Sequence, residues 1–273
     1  MAFSNQREFE DDNNISRLGV LSERSEGFKQ WVFGQLESRQ CHHILEAACG
    51  TGGDSLLLLK KGYNVVSSDG SQAMVNYAKN AREEQQIETW DILQANWLTL
   101  KDDLHVYGGF DAVLCLSSSM VCLIDSTPNF DLYRRSFENF KSMLKPGGVL
   151  LIDHRNMDVI MDHGRPINKN VYFKYNTISK MASEVCKCPG KPDVTNITYD
   201  MIQESGKSDN CGSRKGLIEK VTIPLQPIRA TKFASILAEV FGEDCEHALY
   251  ADFKPIKEVD SPAYYQYVFQ KTK

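Results

Sequence analysis

The sequence predicts an α/β fold: a mostly parallel, twisted sheet with helices on both faces, and a small antiparallel insertion. Three observations carry this. Short, continuously apolar segments alternate with segments of helical period from about residue 23 to residue 153; strands apolar throughout belong to parallel sheets covered on both faces. Glycine-rich turns punctuate the alternation at Gly50–Gly53 and at Pro146–Gly148. After Asn156 the pattern changes to alternating stretches between turn-rich pieces, as in antiparallel hairpins.

Met1 to Asn14 is polar and acidic, and residues 1–21 are expected to form a flexible segment. Phe28, Trp31, Val32, Phe33 and Leu36 recur at helical spacing and predict a helix over 23–37. His43–Ala48 is a first strand ending on the glycines, and a helix follows over 55–61, closed by Gly62. Asn64–Ser68 is a second strand ending at Asp69, followed by a helix over 74–84. Trp90–Gln94 and Phe110–Leu116 are the third and fourth strands, a helix spans 133–144, and Val149–Asp153 is the fifth strand after a turn at Lys145–Gly148. Alternating stretches at Val171–Tyr175 and Val194–Gln203, with turns at 186–193 and 205–216, predict the insertion. A helix over 232–241 and strands over 247–253 and 264–270 complete the sheet. The expected organisation is a flexible segment at 1–21, a binding core at 22–155, a substrate-side insertion at 156–224, and a helix and strands at 225–273.

The 273 residues suit one large α/β domain with an insertion. With 42% hydrophobic and 25% charged residues, wholesale disorder is excluded. A net charge of −5 argues against a nucleic-acid partner, which needs a concentrated basic surface. No apolar secretory segment opens the chain, and no apolar run approaches the ~20 residues that span a bilayer. A cytoplasmic protein without a membrane partner is expected. The eight cysteines form no CxxC pair and the six histidines no HxxxH spacing, so neither a disulfide framework nor a metal site is expected.

In open parallel sheets, ligands sit beyond the carboxyl ends of the strands. That rule picks out Ala48–Gly53, Asp69, Asn96-Trp97, Leu116–Ser119 and His154–Asn156. Gly50 and Gly52 let the backbone approach a ligand closely, or simply pack a helix on a strand. A dinucleotide fingerprint would need a third glycine at position 55, which is Ser55, so an NAD-dependent oxidoreductase is disfavoured. Asp69 stands 19 residues after Gly50, where a carboxylate accepts from both ribose hydroxyls of a nucleoside; capping the next helix is the plainer role. Together they favour a nucleoside cofactor.

The stretch Leu144-Lys-Pro-Gly-Gly148 before the fifth strand, with the E-x-x-x-G-x-G turn and Asp69, resembles the Rossmann-like class I methyltransferases. The segments ACGTGGDS (48–55), ANWLTL (95–100), GFDAVLCL (109–116), IDHRNMD (152–158) and DFKP (252–255) are similar to the glycine N-methyltransferase family. The resemblance runs from about residue 22 onward and is weakest over 156–230.

It implies S-adenosylmethionine as cofactor, with S-adenosylhomocysteine as product, and a role in one-carbon metabolism. It also implies site roles. Arg24 would hold the methionine carboxylate and Ala48 the methionine end. Asp69 would bind the ribose, Asn96 and Trp97 would flank the adenine, and Leu116 would give a backbone contact. A guanidinium fork suits a carboxylate, and an indole face suits adenine, although Trp97 as core filler is the plainer role. On the acceptor side Arg155 would clamp the substrate carboxylate, with a surface ion pair as the plainer role, and Asn170 is a further substrate-side residue. Ser118 stands where the family has Asn. Phe173, Met201 and Leu225 align with pocket tyrosines, and the family's tyrosine-bearing amino-terminal arm is not recognisable.

The expected function is methyl transfer to the amine of glycine or a similar small amino acid, by a chain that allows a homo-oligomer. The alternatives are another small-molecule acceptor, or a weakly catalytic protein that senses S-adenosylmethionine. No dedicated general base stands out; His154 is a candidate that a strand end more often uses structurally.

Overall fold

The computed structural model describes residues 9–11, 15, 23–174, 178–187, 192–203, 217–242 and 245–272. Helix α1 (Glu26–Ser38) begins where the Ser25 hydroxyl accepts from the Phe28 N–H at 3.1 Å, and it buries Phe28, Trp31, Val32, Phe33 and Leu36. The chain then alternates: β1 (His43–Glu46), α2 (Gly53–Lys60), β2 (Asn64–Asp69), α3 (Gln72–Glu84), β3 (Asp91–Gln94), α4 (Leu100–Asp103), β4 (Phe110–Cys115), α5 (Asp131–Met143), β5 (Leu144–Arg155) and α6 (Met157–His163). Three strands follow, β6 (Ile178–Cys186), β7 (Val194–Gln203) and β8 (Leu217–Leu225), then α7 (Ala230–Phe241), β9 (His247–Ala251), β10 (Lys254–Pro255) and β11 (Tyr264–Gln270).

Eight strands form one sheet in the order β10-β9-β11-β5-β4-β1-β2-β3. β1 to β5 pair in parallel, and β11 lies antiparallel between β5 and β9. β6, β7 and β8 form a separate antiparallel sheet. Alternate residues serve the two helix layers. Leu45, Val66, Val113, Leu150 and Ile152 pack with Tyr133 and Phe137 of α5 and Phe233 and Ile236 of α7. Ile44, Val65, Ala112 and Leu151 pack with Phe28, Trp31 and Leu36 of α1 and Leu58 of α2. Each fully buried large side chain contributes ~1.5–3 kcal/mol of apolar transfer. β1 lies between β2 and β4, so the strand order reverses there and a crevice opens at the carboxyl ends.

Two expectations change. The turn at Lys145–Gly148 lies inside β5, whose pairing with β4 shifts register between Phe110 and Ala112. A Cβ on Gly148 would sit 3.0 Å from the carbonyl oxygens of Lys145 and Phe110, so the close approach of the two strands requires glycine. Among the described residues, Val171–Lys174 is not a strand. The Ser25 N–H donates to the Tyr172 carbonyl at 2.8 Å and the Lys174 N–H to Glu23 at 2.9 Å, so this segment is tied to the approach to α1. The expected turns at 186–193 and 205–216 fall largely outside the described residues.

Of the amino-terminal segment, residues 9–11 and 15 are described and the rest of that expectation lies outside. The Ser71 hydroxyl donates to the Phe9 carbonyl at 2.7 Å, and the Glu10 carboxylate accepts from the Gln72 and Ala73 N–H groups at the start of α3. Ile15 is buried.

Candidate active site

A cavity of about 340 Å3 lies at the carboxyl ends of the parallel strands, beneath the antiparallel sheet. It is lined by Ala48, Gly50, Asp69, Trp97, Ser117–Ser119 and Arg155 from strand ends, and by Tyr199 and Tyr264 from β7 and β11. Among the residues sought at these strand ends, Gly52, Asn96, Leu116, His154 and Asn156 do not line it.

At one end is the turn from β1 to α2. Gly50 has φ +52°, and a Cβ there would face open space. Gly52 has φ +89°, and its Cβ would lie 2.7 Å from the Trp90 ring, so this glycine serves packing. Ser55 donates to the buried Glu46 carboxylate. Burial raises the Glu46 pKa well above the usual carboxylate range, reinforced by the charge of Asp54.

Asp69 accepts from the Gly50 N–H on one oxygen and from the Ser71 N–H on the other, both at 2.9 Å. Helix α3 is capped by Ser71, whose hydroxyl accepts from Met74, so Asp69 is released from the capping role. The Gly70 N–H also acts on the Asp69 carboxylate, which with about four acceptor sites keeps room for a further donor. Burial raises its pKa, against the pull of these N–H bonds.

The Trp97 indole N–H donates to the Ala47 carbonyl at 2.5 Å, which fixes a ring that borders the cavity and meets Phe140 edge-on. The Asn96 side-chain oxygen accepts from the Leu98 N–H and shapes this loop. Leu116 is buried, and its carbonyl accepts from the Ser119 hydroxyl at 2.8 Å.

Arg24 donates through Nε and Nη2 to the two oxygens of Asp54, both at 2.6 Å, and through Nη2 to the Ser117 hydroxyl at 2.6 Å. Its plane rests 4.8 Å from the Phe28 and Phe173 ring centres. Desolvation works against its charge, but the Asp54 pair outweighs it and the pKa is raised. Its Nη1 is buried without a hydrogen-bond partner among the described residues.

At the other end the buried Arg155 donates through Nη2 to the Tyr199 hydroxyl at 3.2 Å and to the Tyr264 hydroxyl. Its centre lies 4.5 Å above the Tyr264 ring. Among the described residues its buried Nη1 has no hydrogen-bond partner and the side chain forms no ion pair with a carboxylate. The surface ion pair that an arginine commonly makes is therefore not its state here. The Ser118 hydroxyl accepts from the Arg155 N–H at 2.8 Å. Asn170 borders the cavity and braces its own turn, with bonds to the Phe173 N–H and carbonyl.

His154 alternates away from Arg155. Its Nε2 lies 3.0 Å from the Tyr267 hydroxyl, and it packs against Phe233. Burial lowers its pKa to about 4, so it is a neutral core residue. No described histidine borders the cavity. Among the described residues, no group of three or more His, Cys, Asp or Glu could hold a metal ion, and no helix is long and apolar enough to cross a membrane.

Sequence reasoning missed Tyr199, Tyr264, Asp54 and Asp153. On β7 the tyrosine beside Arg155 is Tyr199, two positions before Met201, which is buried but does not border the cavity. The two share a strand face, so the position that the resemblance aligned with a pocket tyrosine lies one face-repeat beyond the tyrosine present. Phe173 and Leu225 do line the cavity.

Residues 44–148 match the model of a methyltransferase domain family. The chain is 35% identical over 263 residues to glycine N-methyltransferase of Rattus norvegicus, covering 93% of this chain and 88% of that protein. It is 37% identical over 151 residues to glycine/sarcosine N-methyltransferase of Halorhodospira halochloris, covering 55% of this chain and 53% of that one. A solved S-adenosylmethionine-dependent methyltransferase from Clostridium acetobutylicum superposes with a TM-score of 0.67 at 15% identity, over 96% of this chain and 97% of its own, and so shares the fold. The strand-end cavity, its two arginines and the 35% identity across most of the rat protein's length agree, and the chain belongs to the glycine N-methyltransferase family.

Proposed function

We propose that this chain is an S-adenosylmethionine-dependent N-methyltransferase whose acceptor is glycine or a similar small amino acid, held by its carboxylate on Arg155. The observation that carries the acceptor reading is the state of Arg155: a buried guanidinium with a free Nη1 and no counter-ion among the described residues. A buried charge without a partner is costly, and an arriving carboxylate would compensate it.

The donor end fits S-adenosylmethionine on the protein's own geometry. The unpartnered Arg24 Nη1 suits a carboxylate, the remaining acceptor capacity of Asp69 suits a hydroxyl, and the pinned Trp97 ring suits a flat heterocycle. Gly50 leaves room for close approach. The donor, when bound, supplies an electrophilic methyl group that needs no metal. The protein's task is to hold a neutral amine in line with that methyl, and positioning of this kind supplies most of the rate. Arg155 fixes the acceptor carboxylate, Tyr199 and Tyr264 fix Arg155, and Ser118 anchors the Arg155 backbone. Asn170 supports this reading from the turn beside them.

One observation favours a bulkier acceptor. Ile178, Met181, Ile223 and Leu225 line the cavity from the same antiparallel sheet as Tyr199, and Met181 pairs directly with Tyr199 across β6 and β7. An apolar substituent beside the carboxylate would bury itself there.

The test is methyl transfer from labelled donor to glycine, sarcosine, alanine, valine and ethanolamine. Transfer to the carboxylate-bearing amines and not to ethanolamine supports the reading, and a preference for valine selects the bulkier class. Transfer to ethanolamine alone overturns the Arg155 assignment.

A further inference from the structure

Asp153 stands two residues before the end of β5, on the same face as Arg155; it is fully buried and does not itself border the cavity. Its carboxylate accepts from two consecutive backbone N–H groups, Ser118 at 2.6 Å and Ser117 at 3.2 Å. Both serines are left-handed, with φ +67° at Ser117 and +62° at Ser118. Such residues cost about 1–3 kcal/mol each unless their surroundings impose the conformation. The two hydroxyls point to the two ends of the site. Ser117 accepts from Arg24, and Ser118 accepts from the Arg155 N–H. This strap after β4 thus links the two arginines through hydrogen bonds, and one carboxylate holds it.

We infer that Asp153 is a positioning residue for methyl transfer: by holding Ser117 and Ser118 left-handed, it sets the spacing between the donor arginine and the acceptor arginine. The inference rests on the functional reading above. An Asp carboxylate accepts on both oxygens, whereas Asn offers one acceptor and one donor, so Asp153→Asn releases one of the two N–H groups. The surroundings of Asp153 make its ionisation matter. Burial raises its pKa to about 7, opposed by the two N–H bonds and by Arg24 and reinforced by Asp54. Tyr264 of β11 and Cys115 of β4 also face it, and burial holds both in their neutral forms. A carboxylate with a raised pKa is ionised only above it, so the strap is fully held on the alkaline side and loosens as pH falls through about 7.

The experiment compares wild type, Asp153→Asn, Ser117→Gly and the double variant, on whichever acceptor is methylated. Asp153→Asn is expected to lower kcat by about 10- to 100-fold, the effect of a misplacement near 1 Å, and to lose the limb near pH 7 in kcat/KM for the donor. Glycine adopts the left-handed conformation without cost, so the double variant should recover several-fold over Asp153→Asn. A residue that merely filled the core would show additive losses instead. If Asp153→Asn does not fold, Ser118→Ala tests the same link, since removing the hydroxyl that accepts from Arg155 should raise KM for the acceptor. Full turnover in Asp153→Asn, a retained pH limb, or additive losses in the double variant would overturn the inference alone. A wild-type chain that methylates no amine overturns the functional reading and this inference with it.

Discussion

Replacing Arg155 separates a residue kept for a ligand from one kept for the fold. Nη2 is occupied by Tyr199 and Tyr264, and Nη1 is free, so an acceptor carboxylate would add one or two charge-assisted bonds. Bonds to a charged group are worth ~1.5–3 kcal/mol each. In Arg155→Lys the ammonium must serve the phenols and the carboxylate from a single point, and loses the planar fork. A loss of about 2–4 kcal/mol corresponds to a drop of roughly 30- to 1000-fold in kcat/KM for the acceptor. Donor affinity should stay within about twofold, because the Arg155 side chain bonds to Tyr199 and Tyr264 and not to Arg24, Asp69 or Trp97. The companion change, Arg155→Met, removes a buried charge that has no counter-ion. The free protein should therefore melt no lower than wild type, while turnover is lost. Steady-state kinetics, calorimetry with the donor and thermal melts of the free protein read the three quantities. Unchanged acceptor kinetics in Arg155→Lys would refute the clamp. A fall of more than about 4 °C in the Arg155→Met melt, about 1 kcal/mol or more for a chain of this size, would show that the arginine is held for the fold.

Asp69→Ala should weaken donor binding by ~1–3 kcal/mol, read by calorimetry, and an unchanged affinity would remove Asp69 from the site. Gly52→Ala places a Cβ 2.7 Å from the Trp90 ring at φ +89° and should cost ~1–3 kcal/mol in denaturant unfolding, whereas a neutral result would mean that the turn relaxes freely. His154 has its folded pKa lowered from 6.5 to about 4 by burial, so its contribution is full above pH 6.5 and is lost as pH falls toward 4. The stability advantage of wild type over His154→Gln should shrink across that window, and a difference that stays constant with pH argues against a buried neutral imidazole.

The parallel core was legible because its signals are local. The apolar runs at His43–Ala48 and Phe110–Leu116, the glycine turn, and Asp69 at a strand end each needed only a few neighbouring residues to be read. The same rule of strand ends found Arg155 and Ser118. The partners of Arg155 were not legible, since Tyr199 and Tyr264 lie 44 and 109 residues away and reach it through two different sheets. On β7 the resemblance pointed to Met201, whereas the tyrosine that meets Arg155 is Tyr199, two residues earlier on the same strand face. Lys145–Gly148 reads as a turn from its composition, yet the demand for close approach to Phe110 places it in the strand. Asp153 was hidden because its role depends on the conformation of Ser117 and Ser118, which no local pattern in that segment announces.

The placement of β11 has a consequence for how the chain is made. This strand follows every other strand in order, yet it sits between β5 and β9 and pairs with seven consecutive residues of β5. On the ribosome β1 to β5 emerge early, and the open edge of β5 has no neighbour until more than a hundred further residues have been synthesised. An unpaired apolar edge of this length is a template for aggregation. β11 also carries Tyr264, so the same late pairing that closes the edge brings the phenol to Arg155. A nascent chain stopped before Tyr264 would hold most of the donor pocket but would leave both the sheet edge and the acceptor clamp unfinished.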